Sequence, residues 1–273
     1  MRINFHTYKT YLECPKKYKY VEDHVPPPQP DNMYFALYGK TIEKFFQGYC
    51  NDWGPAGIEF DKELVINYLT PIYKKILHYN EVDWGAPFVK LSSQDIFDSV
   101  VIDILECLNV FTVFKKTRSE TSFKVTLKNG DYINGRVDFL YTTDNGEVEL
   151  LDGKGTDTLN KNIEPEQLFM YALMYYFTRK KLPNRIGFLY YKLRHIQYLD
   201  FDLKTIDTFR KKLLLVLQAI RSDTKFIGTP STKACKYCQY KTICSEYSQR
   251  KIDRQKKSKI QFETNGDPIE LGL

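Results

Sequence analysis

The chain has 273 residues and a formal net charge of +6, and 42% of its residues are hydrophobic. This composition excludes a disordered polyelectrolyte and is sufficient for one sizeable core. No apolar run approaches the ~20 residues that span a bilayer, and the segment from Met1 to His6 lacks the apolar centre of a secretory signal. We therefore expect a cytoplasmic protein of a bacterial or phage-infected cell, with reduced thiols and no membrane partner.

Sequence patterns predict helices in the first part of the chain and strands in the second. Helices are predicted for residues 8–20, 33–49, 62–79 and 93–116, with a proline-rich loop at 26–30. Strands follow at 121–127, 132–142 and 147–152, separated by Asn-Gly turn signals. A helix at 164–179, strands at 186–193 and 196–201, and a helix at 203–221 complete the pattern.

This order of elements predicts an α/β fold in which a central mixed β-sheet is flanked by helices. We expect a single domain over residues 1–273. Its segments would be a helical lobe at about 1–118, an α/β core at 119–228, a cysteine-bearing segment at 229–250 and a basic, flexible tail at 251–273.

Two aspartates lie on neighbouring predicted strands. Asp138 lies within the strand at 132–142, and Asp152 ends the strand at 147–152. The turn between them makes the strands antiparallel neighbours, so the carboxylates can converge on Mg²⁺ or Mn²⁺, which prefer oxygen ligands. Lys154 shares a face with Asp152 if the strand continues, where it could position or deprotonate a water molecule. The alternative is an ordinary strand carboxylate followed by an ordinary turn.

Three motifs favour the catalytic interpretation. They are Gly135 to Asp138, Asp152 to Lys154, and Gln167 to Tyr171. In order and separation they resemble the PD-(D/E)XK nuclease superfamily, in its RecB-like branch. The resemblance implies a restriction-endonuclease-like fold and a metal-dependent nuclease in which Lys154 assists the attacking water. Gln167 and Tyr171 would orient that lysine or contact DNA.

The metal ligands that the resemblance implies include one departure from the family pattern. The family usually has a histidine on an early helix, a few residues after a glycine, and here Gly39 is followed by Glu43. We carry Glu43 over as a ligand beside Asp138, Asp152 and the carbonyl of Gly153. A glutamate oxygen in place of the usual histidine nitrogen as the metal ligand favours Mg²⁺ over softer metals. Three other glutamates are weaker candidates, expected at the surface: Glu13, Glu149 and Glu166.

Cysteines form a second constellation, in which the late ones are spaced C-x2-C-x5-C: Cys235, Cys238 and Cys244. In a reduced compartment this spacing marks a metal site more often than chance. A fourth thiolate would come from Cys14, Cys50 or Cys107. Cys50 and Cys107 lie in or beside predicted helices and are expected to be small buried residues.

The segment from Tyr8 to Tyr18 surrounds Cys14 and resembles the Cys-Pro motif of RecB-like nucleases that carry an iron–sulfur cluster, among them AddB-type and CRISPR-associated nucleases. The resemblance implies a 4Fe–4S cluster on Cys14 and the three late cysteines. Such a cluster would close a loop of about 220 residues. Zinc also accepts four thiolates, and four unrelated thiols remain a further alternative.

Basic clusters favour a polyanionic partner. The stretch from Arg250 to Lys259 carries six basic residues against one aspartate. With the resemblance, we expect a deoxyribonuclease, an exonuclease on single-stranded DNA, with the basic and aromatic stretch 8–20 guiding the strand. The sequence sets no polarity and leaves endonuclease cutting open. A helicase, recombination or CRISPR partner would be a separate protein. The alternatives are a non-catalytic DNA- or partner-binding module of the same fold and a zinc-bearing structural protein.

Overall fold

The computed structural model describes residues 1–28, 33–80, 82–86, 89–111, 114, 117–159, 165–236 and 238–251. Its strands are β1 (Arg2–Ile3), β2 (Thr117–Thr126), β3 (Tyr132–Thr142), β4 (Val148–Lys154), β5 (Arg185–Tyr190) and β6 (His195–Leu199). Its helices are α1 (Phe5–Glu13), α2 (Pro15–Glu22), α3 (Tyr34–Gly48), α4 (Lys62–Tyr79), α5 (Ser93–Val110), α6 (Glu166–Arg179), α7 (Leu203–Ser222) and α8 (Thr232–Lys236), with a π-helical turn at Tyr49–Trp53. Over these residues, none of the helices is both long and apolar enough to cross a membrane. Of the predicted tail at 251–273, all but Lys251 lies outside the described residues.

The strands form one six-stranded mixed sheet. β3 pairs antiparallel with β2 and β4 and parallel with β1. β4 and β5 are parallel, and α6 makes the crossover between them, as parallel neighbours require. β5 and β6 are antiparallel. Helices flank the sheet, because α3 contacts β2 and α6 contacts β2, β3, β4 and β5. The predicted fold class is confirmed.

An aromatic core fixes α3 against the sheet. Phe46 stacks on Phe114 with ring centroids 4.1 Å apart and on Tyr191 at 5.5 Å. Phe139 of β3 meets Phe46 edge-on at 6.3 Å. All four side chains are buried, and each large ring contributes both apolar burial and preferred stacking geometry. This packing fixes the position of α3, and of the residue that directly follows β5, relative to the sheet.

Several predicted boundaries were wrong for identifiable reasons. The single helix predicted for 8–20 is two helices, because Pro15 begins α2 and Cys14 before it has an extended backbone with φ −164° and ψ 108°. α5 ends at Val110, and Phe111 after it has an extended backbone with φ −104° and ψ 97°. Of the remainder of the helix predicted to 116, residues 112, 113, 115 and 116 lie outside the described residues. β2 begins at Thr117 instead of 121. β1 has only two residues and was not predicted.

The chain divides into two compact units. The first comprises Met1–Phe5 and Asn32–Leu214 and contains the sheet; the second comprises His6–Asp31 and Leu215–Leu273. In the second unit the tyrosines of the early helices pack internally: Tyr18 stacks on Phe226 at 6.0 Å, and Tyr20 contacts Tyr240 at 5.0 Å. Tyr8 and Tyr18 are buried and are not available for base stacking. The organisation into one nuclease domain with four segments stays a prediction.

Candidate metal and catalytic site

The two predicted aspartates lie where β3 and β4 separate. Backbone pairing of these strands runs as far as Phe139 opposite Leu151 and stops there, while β4 continues to pair with β5 as far as Lys154. Beyond that point the side chain of Asp138 replaces a backbone acceptor, and its Oδ2 accepts the Gly153 N–H at 2.8 Å. The separation makes room for side chains at the centre of the sheet.

Glu120 of β2 lies at the same place and was missed by the sequence analysis. The register of β2 and β3, with Ser119 opposite Phe139 and Thr121 opposite Val137, places Glu120 across from Asp138. Like charges directly opposite one another destabilise a sheet, and Glu120 also has a left-handed backbone with φ 57°. Strain of this kind is concentrated at functional sites. The available signal was a glutamate directly before the predicted strand at 121–127, but Glu120 lay outside the predicted elements.

Three carboxylates converge at this point. Glu43, Glu120 and Asp138 each offer an oxygen, and these oxygens all lie within 4.8 Å of one another. α3, β2 and β3 each supply one of them. Three convergent hard oxygens are a donor set that suits Mg²⁺ or Mn²⁺. The donor set therefore fits a divalent cation, and Arg136, which forms an ion pair with Glu120, offsets only part of the negative charge.

Burial and mutual repulsion disfavour the charged form of these carboxylates when no cation is bound. Burial raises the pKa of Glu43, and the charge of Glu120 adds to the shift. Burial also raises the pKa of Asp138 well above its ordinary value, and the charge of Asp152 raises it further. The pKa of Asp152 is raised by burial and held back by Lys154. Clustered, perturbed acids in this pattern are characteristic of functional sites.

Lys154 is held beside the carboxylates by a short hydrogen-bonded network. Its Nζ lies 2.5 Å from Asp152 Oδ2 and donates to Gln167 Oε1 at 3.3 Å. Gln167 Nε2 donates to Asp152 Oδ1 at 2.6 Å and to the Tyr171 hydroxyl at 3.1 Å. The structure thus brings Asp152, Lys154, Gln167 and Tyr171 together, with Gln167 and Tyr171 one turn apart on α6. These contacts hold the lysine ammonium against Asp152.

Comparison with known proteins identifies the family. The family model of the PD-(D/E)XK nuclease superfamily matches residues 2–245 of the chain. This chain belongs to the PD-(D/E)XK nuclease superfamily. The predicted superfamily is thereby confirmed, and the G-x-x-D, D-x-K and Q-x-x-x-Y segments lie within the matched residues. Comparison with curated proteins gives no match.

The solved structures that match this superfamily member include the following two. A protein from Eubacterium rectale described as a candidate exonuclease has 11% identity and a TM-score of 0.53, over 88% of this chain and 87% of that chain. A protein designated SSO0001 has 12% identity and a TM-score of 0.33, over 80% of this chain and 98% of that chain. At this identity, the first likeness shows the fold alone.

Gly153, the middle residue of the nuclease D-x-K motif, has no room for a side chain. A Cβ there would lie 2.1 Å from the hydroxyl oxygen and 2.7 Å from Cζ of Tyr191. The Tyr191 ring is buried and stacked on Phe46, so it is not free to move aside. Close packing therefore selects glycine at this position.

Gly153→Ala is expected to lower the free energy of unfolding by about 1–3 kcal/mol, the usual cost of overpacking a core. Urea unfolding in EDTA measures the change. Gly39→Ala is the matched control, because its Cβ would meet nothing within 4 Å and alanine favours the surrounding helix. Equal stability of the two variants would contradict the packing argument.

The weaker glutamate candidates lie away from this site. Glu13 pairs with Lys9 and Lys17, each at 3.8 Å, and Glu166 pairs with Lys212 at 2.5 Å. Glu149 was expected at the surface, and this was wrong. It is buried, accepts the Tyr198 hydroxyl at 2.7 Å and lies 3.6 Å from Arg185. Both faces of β4 are covered, since every residue from Val148 to Asp152 is buried.

The cysteines occupy different environments. A single pocket of the second unit is lined by four of them: Cys14, Cys235, Cys238 and Cys244. Burial raises the pKa of the Cys238 thiol, and the neighbouring thiols add to the shift. Cys50 and Cys107 are buried in the core of the first unit, as expected. Four thiols around one pocket are a donor set that fits an iron–sulfur cluster or zinc.

Proposed function

We propose that this protein is a metal-dependent deoxyribonuclease of the RecB-like branch, which hydrolyses phosphodiester bonds at the site of Glu43, Glu120 and Asp138. The observation that carries the proposal is the convergence of these carboxylates beside the Lys154–Asp152 ion pair. A binding module would have no need to hold half-buried like charges together, since they destabilise the fold. The same arrangement is what cation-assisted hydrolysis requires.

The chemistry divides between the cation and the side chains. A bound Mg²⁺ or Mn²⁺ would lower the pKa of a water molecule and neutralise charge on the phosphate. Glu43, Glu120 and Asp138 would hold the cation, together with Asp152 and the Gly153 carbonyl. Lys154 would orient the attacking water in line with the scissile P–O bond and stabilise the negative charge that develops on the phosphate oxygens.

Gln167 and Tyr171 would serve this lysine. In the structure Gln167 contacts both Lys154 and Asp152, so it would hold the lysine beside Asp152 during catalysis. Tyr171 supports Gln167 at 3.1 Å and reaches Asp152 Oδ1 at 3.5 Å. Burial raises the pKa of its hydroxyl, so Tyr171 stays protonated and acts as a hydrogen-bonding residue.

We further propose a structural 4Fe–4S cluster on Cys14, Cys235, Cys238 and Cys244. The four thiols line one pocket, and the break between α1 and α2 places Cys14 there in an extended conformation. Lys16, Lys17 and Lys241 line the same pocket, and their charge would offset that of the thiolates. Zinc held by the same residues would be colourless, whereas an iron–sulfur cluster is brown.

A basic groove in the second unit supports DNA as the substrate. Among the residues that the structure describes, its lining contains no acidic residue and consists of Ser231, Cys235, Lys236, Lys241, Tyr247, Arg250 and Lys251. Four cationic side chains along one groove provide the electrostatic attraction that a nucleic-acid backbone needs. Tyr247 supplies an aromatic ring in the same groove, which favours a single strand with unpaired bases.

The double variant Lys241→Ala/Lys251→Ala is expected to weaken single-stranded DNA binding and to reduce the salt dependence of log K by about 0.7 for each lysine lost. Fluorescence anisotropy at several salt concentrations, in EDTA, measures both effects. Lys74→Ala/Lys75→Ala removes the same charge from the exposed face of α4 and should leave the slope unchanged. Parallel slopes for all three proteins would contradict DNA binding in the groove.

Exonuclease action is the finer part of the proposal. It is supported by the family resemblance and by the description of the Eubacterium rectale protein as a candidate exonuclease. Linear and covalently closed circular single-stranded DNA of the same sequence provide the test, in Mg²⁺ or Mn²⁺. Degradation of the linear form alone supports an exonuclease. Cutting of the circle at a similar rate would show an endonuclease, and no cutting of either would contradict the nuclease itself.

A further inference from the structure

Tyr191 carries a buried hydroxyl that the fold itself does not use. The residue directly follows β5, its side chain is 2% exposed, and its hydroxyl has no hydrogen-bond partner among the residues that the structure describes. Its neighbour Tyr190 is buried too, but the Tyr190 hydroxyl donates to Gln197 Oε1 at 3.3 Å. Buried hydroxyls are usually paired, because an unpaired one loses its hydrogen bonds to water without replacement.

The hydroxyl lies beside the Gly153 segment of the carboxylate site. It lies against Gly153, so close that a Cβ at that position would be 2.1 Å from it, and the Gly153 N–H is the group bonded to Asp138. Burial raises the pKa of Tyr191, and the negative charges of Asp138, Glu43 and Asp152 raise it further, in that order. The hydroxyl is therefore a buried, unpaired hydrogen-bond donor beside the residue whose N–H binds Asp138.

The ring is held rigidly in this orientation. Tyr191 stacks on Phe46 with an interplanar angle of 4° and meets Phe139 edge-on at 6.5 Å. Its backbone N–H donates to the Lys154 carbonyl at 3.0 Å, and its carbonyl accepts from Cys107 Sγ at 3.4 Å. Packing and backbone bonds therefore fix the hydroxyl relative to the D-x-K strand.

We propose that Tyr191 is a positioning residue of the metal site, whose hydroxyl donates a hydrogen bond to the carboxylate cluster of Glu43, Glu120 and Asp138 when the divalent cation is held there. The hydrogen bond would orient one of the carboxylates that hold the cation. The inference rests on the proposed metal-dependent function. Partners that orient metal ligands in this way typically contribute 10–100-fold in metal affinity.

Tyr191→Phe tests this proposal because it keeps the ring and removes only the hydroxyl. Mn²⁺ titration followed by electron paramagnetic resonance should show affinity weakened at least about tenfold. The Mn²⁺ concentration for half-maximal DNA cleavage should rise by a similar factor. In EDTA the variant should unfold at the wild-type temperature or higher, since the lost hydroxyl has no partner in the metal-free fold. Tyr190→Phe, which removes the adjacent hydroxyl outside the site, should bind Mn²⁺ like wild type.

Two results would overturn the proposal. The first is wild-type Mn²⁺ affinity in Tyr191→Phe. The second is earlier unfolding of Tyr191→Phe in EDTA, because the hydroxyl would then stabilise the fold instead of the site. A folded wild-type protein that binds no Mn²⁺ would overturn the proposed nuclease function and this inference with it. That outcome is distinct from failure of the Tyr191 proposal alone, because it is seen in wild type without any variant.

Discussion

Asp138→Asn is expected to reduce DNA cleavage by about 10³-fold while stabilising the metal-free protein by about 1–2 kcal/mol. Cleavage falls because the amide cannot replace the charged ligand that Asp138 offers beside Glu43 and Glu120. Stability rises because the substitution removes a buried charge that is repelled by Asp152 and Glu43. Asparagine keeps the oxygen that accepts the Gly153 N–H, so the strand geometry is retained.

The stability gain should depend on pH in a defined direction. The pKa of Asp138 is raised in the folded protein, so the folded state holds this proton more tightly than the unfolded chain does. The stability that protonation confers is fully present below the unfolded pKa, near ~3.9, and is lost as the pH rises through the folded pKa. The advantage of Asp138→Asn should therefore be smallest near pH 4 and largest at neutral to alkaline pH.

Urea unfolding in EDTA at several pH values measures this difference, and repeating it in Mg²⁺ tests the linkage to the cation. Mg²⁺ should stabilise wild type, since a ligand of the folded state raises its stability, and should have little effect on the variant. Glu149→Gln is the matched control: Glu149 is buried and its charge faces Arg185 at 3.6 Å, so removal of that charge should destabilise the fold. Destabilisation of the metal-free protein by Asp138→Asn would contradict the account of the site.

Cys14→Ser is expected to abolish the brown colour and to lower stability severely. If Cys14 and the late cysteines hold one cluster, losing Cys14 opens a loop of about 220 residues, and loop-closure entropy for that length is about 5 kcal/mol. For a chain of this size, that corresponds to a fall in the melting temperature of about 10–20 °C. Anaerobic purification, iron analysis and thermal unfolding provide the measurements, with about four iron atoms expected per wild-type chain.

Cys50→Ala is the control for this prediction. Cys50 is buried in the core of the first unit and does not line the cysteine pocket, so its loss should leave the colour and the iron content unchanged. A colourless wild-type protein with one zinc per chain would replace the iron–sulfur cluster by a zinc site on the same residues. If Cys14→Ser had the stability and metal content of wild type, both a structural iron–sulfur cluster and a structural zinc site on these cysteines would be contradicted.

Local signals predicted the elements whose ends are encoded nearby. α4 has the predicted bounds because Asp61 caps it, with its side chain accepting the Leu64 N–H at 2.8 Å. The bounds of β3 were also predicted, because one turn precedes Tyr132 and another follows Thr142 before β4 begins. The break at Cys14 was missed because the apolar spacing continues across Pro15, and the ring of that proline is compatible with the start of a second helix.

Only part of the site could be predicted from the sequence, because the residues that were missed are brought to the site by tertiary contacts. Asp138, Asp152 and Lys154 follow from motif spacing. Glu120 does not, because its place opposite Asp138 is set by the β2–β3 register and by a left-handed backbone. Tyr191 follows an apolar strand and resembles any core tyrosine; only its contact with Gly153 and its unused hydroxyl distinguish it.

The central claim is a cation-dependent nuclease in which Lys154 acts beside a carboxylate cluster. Cleavage of end-labelled single- and double-stranded DNA by wild type and Lys154→Ala, in Mg²⁺, Mn²⁺ or EDTA, tests it most directly, with circular dichroism to verify folding of the variant. We expect cleavage by wild type in either cation, none in EDTA, and loss of at least about 10²-fold in the variant. Cleavage in EDTA, or undiminished cleavage by folded Lys154→Ala, would contradict the account.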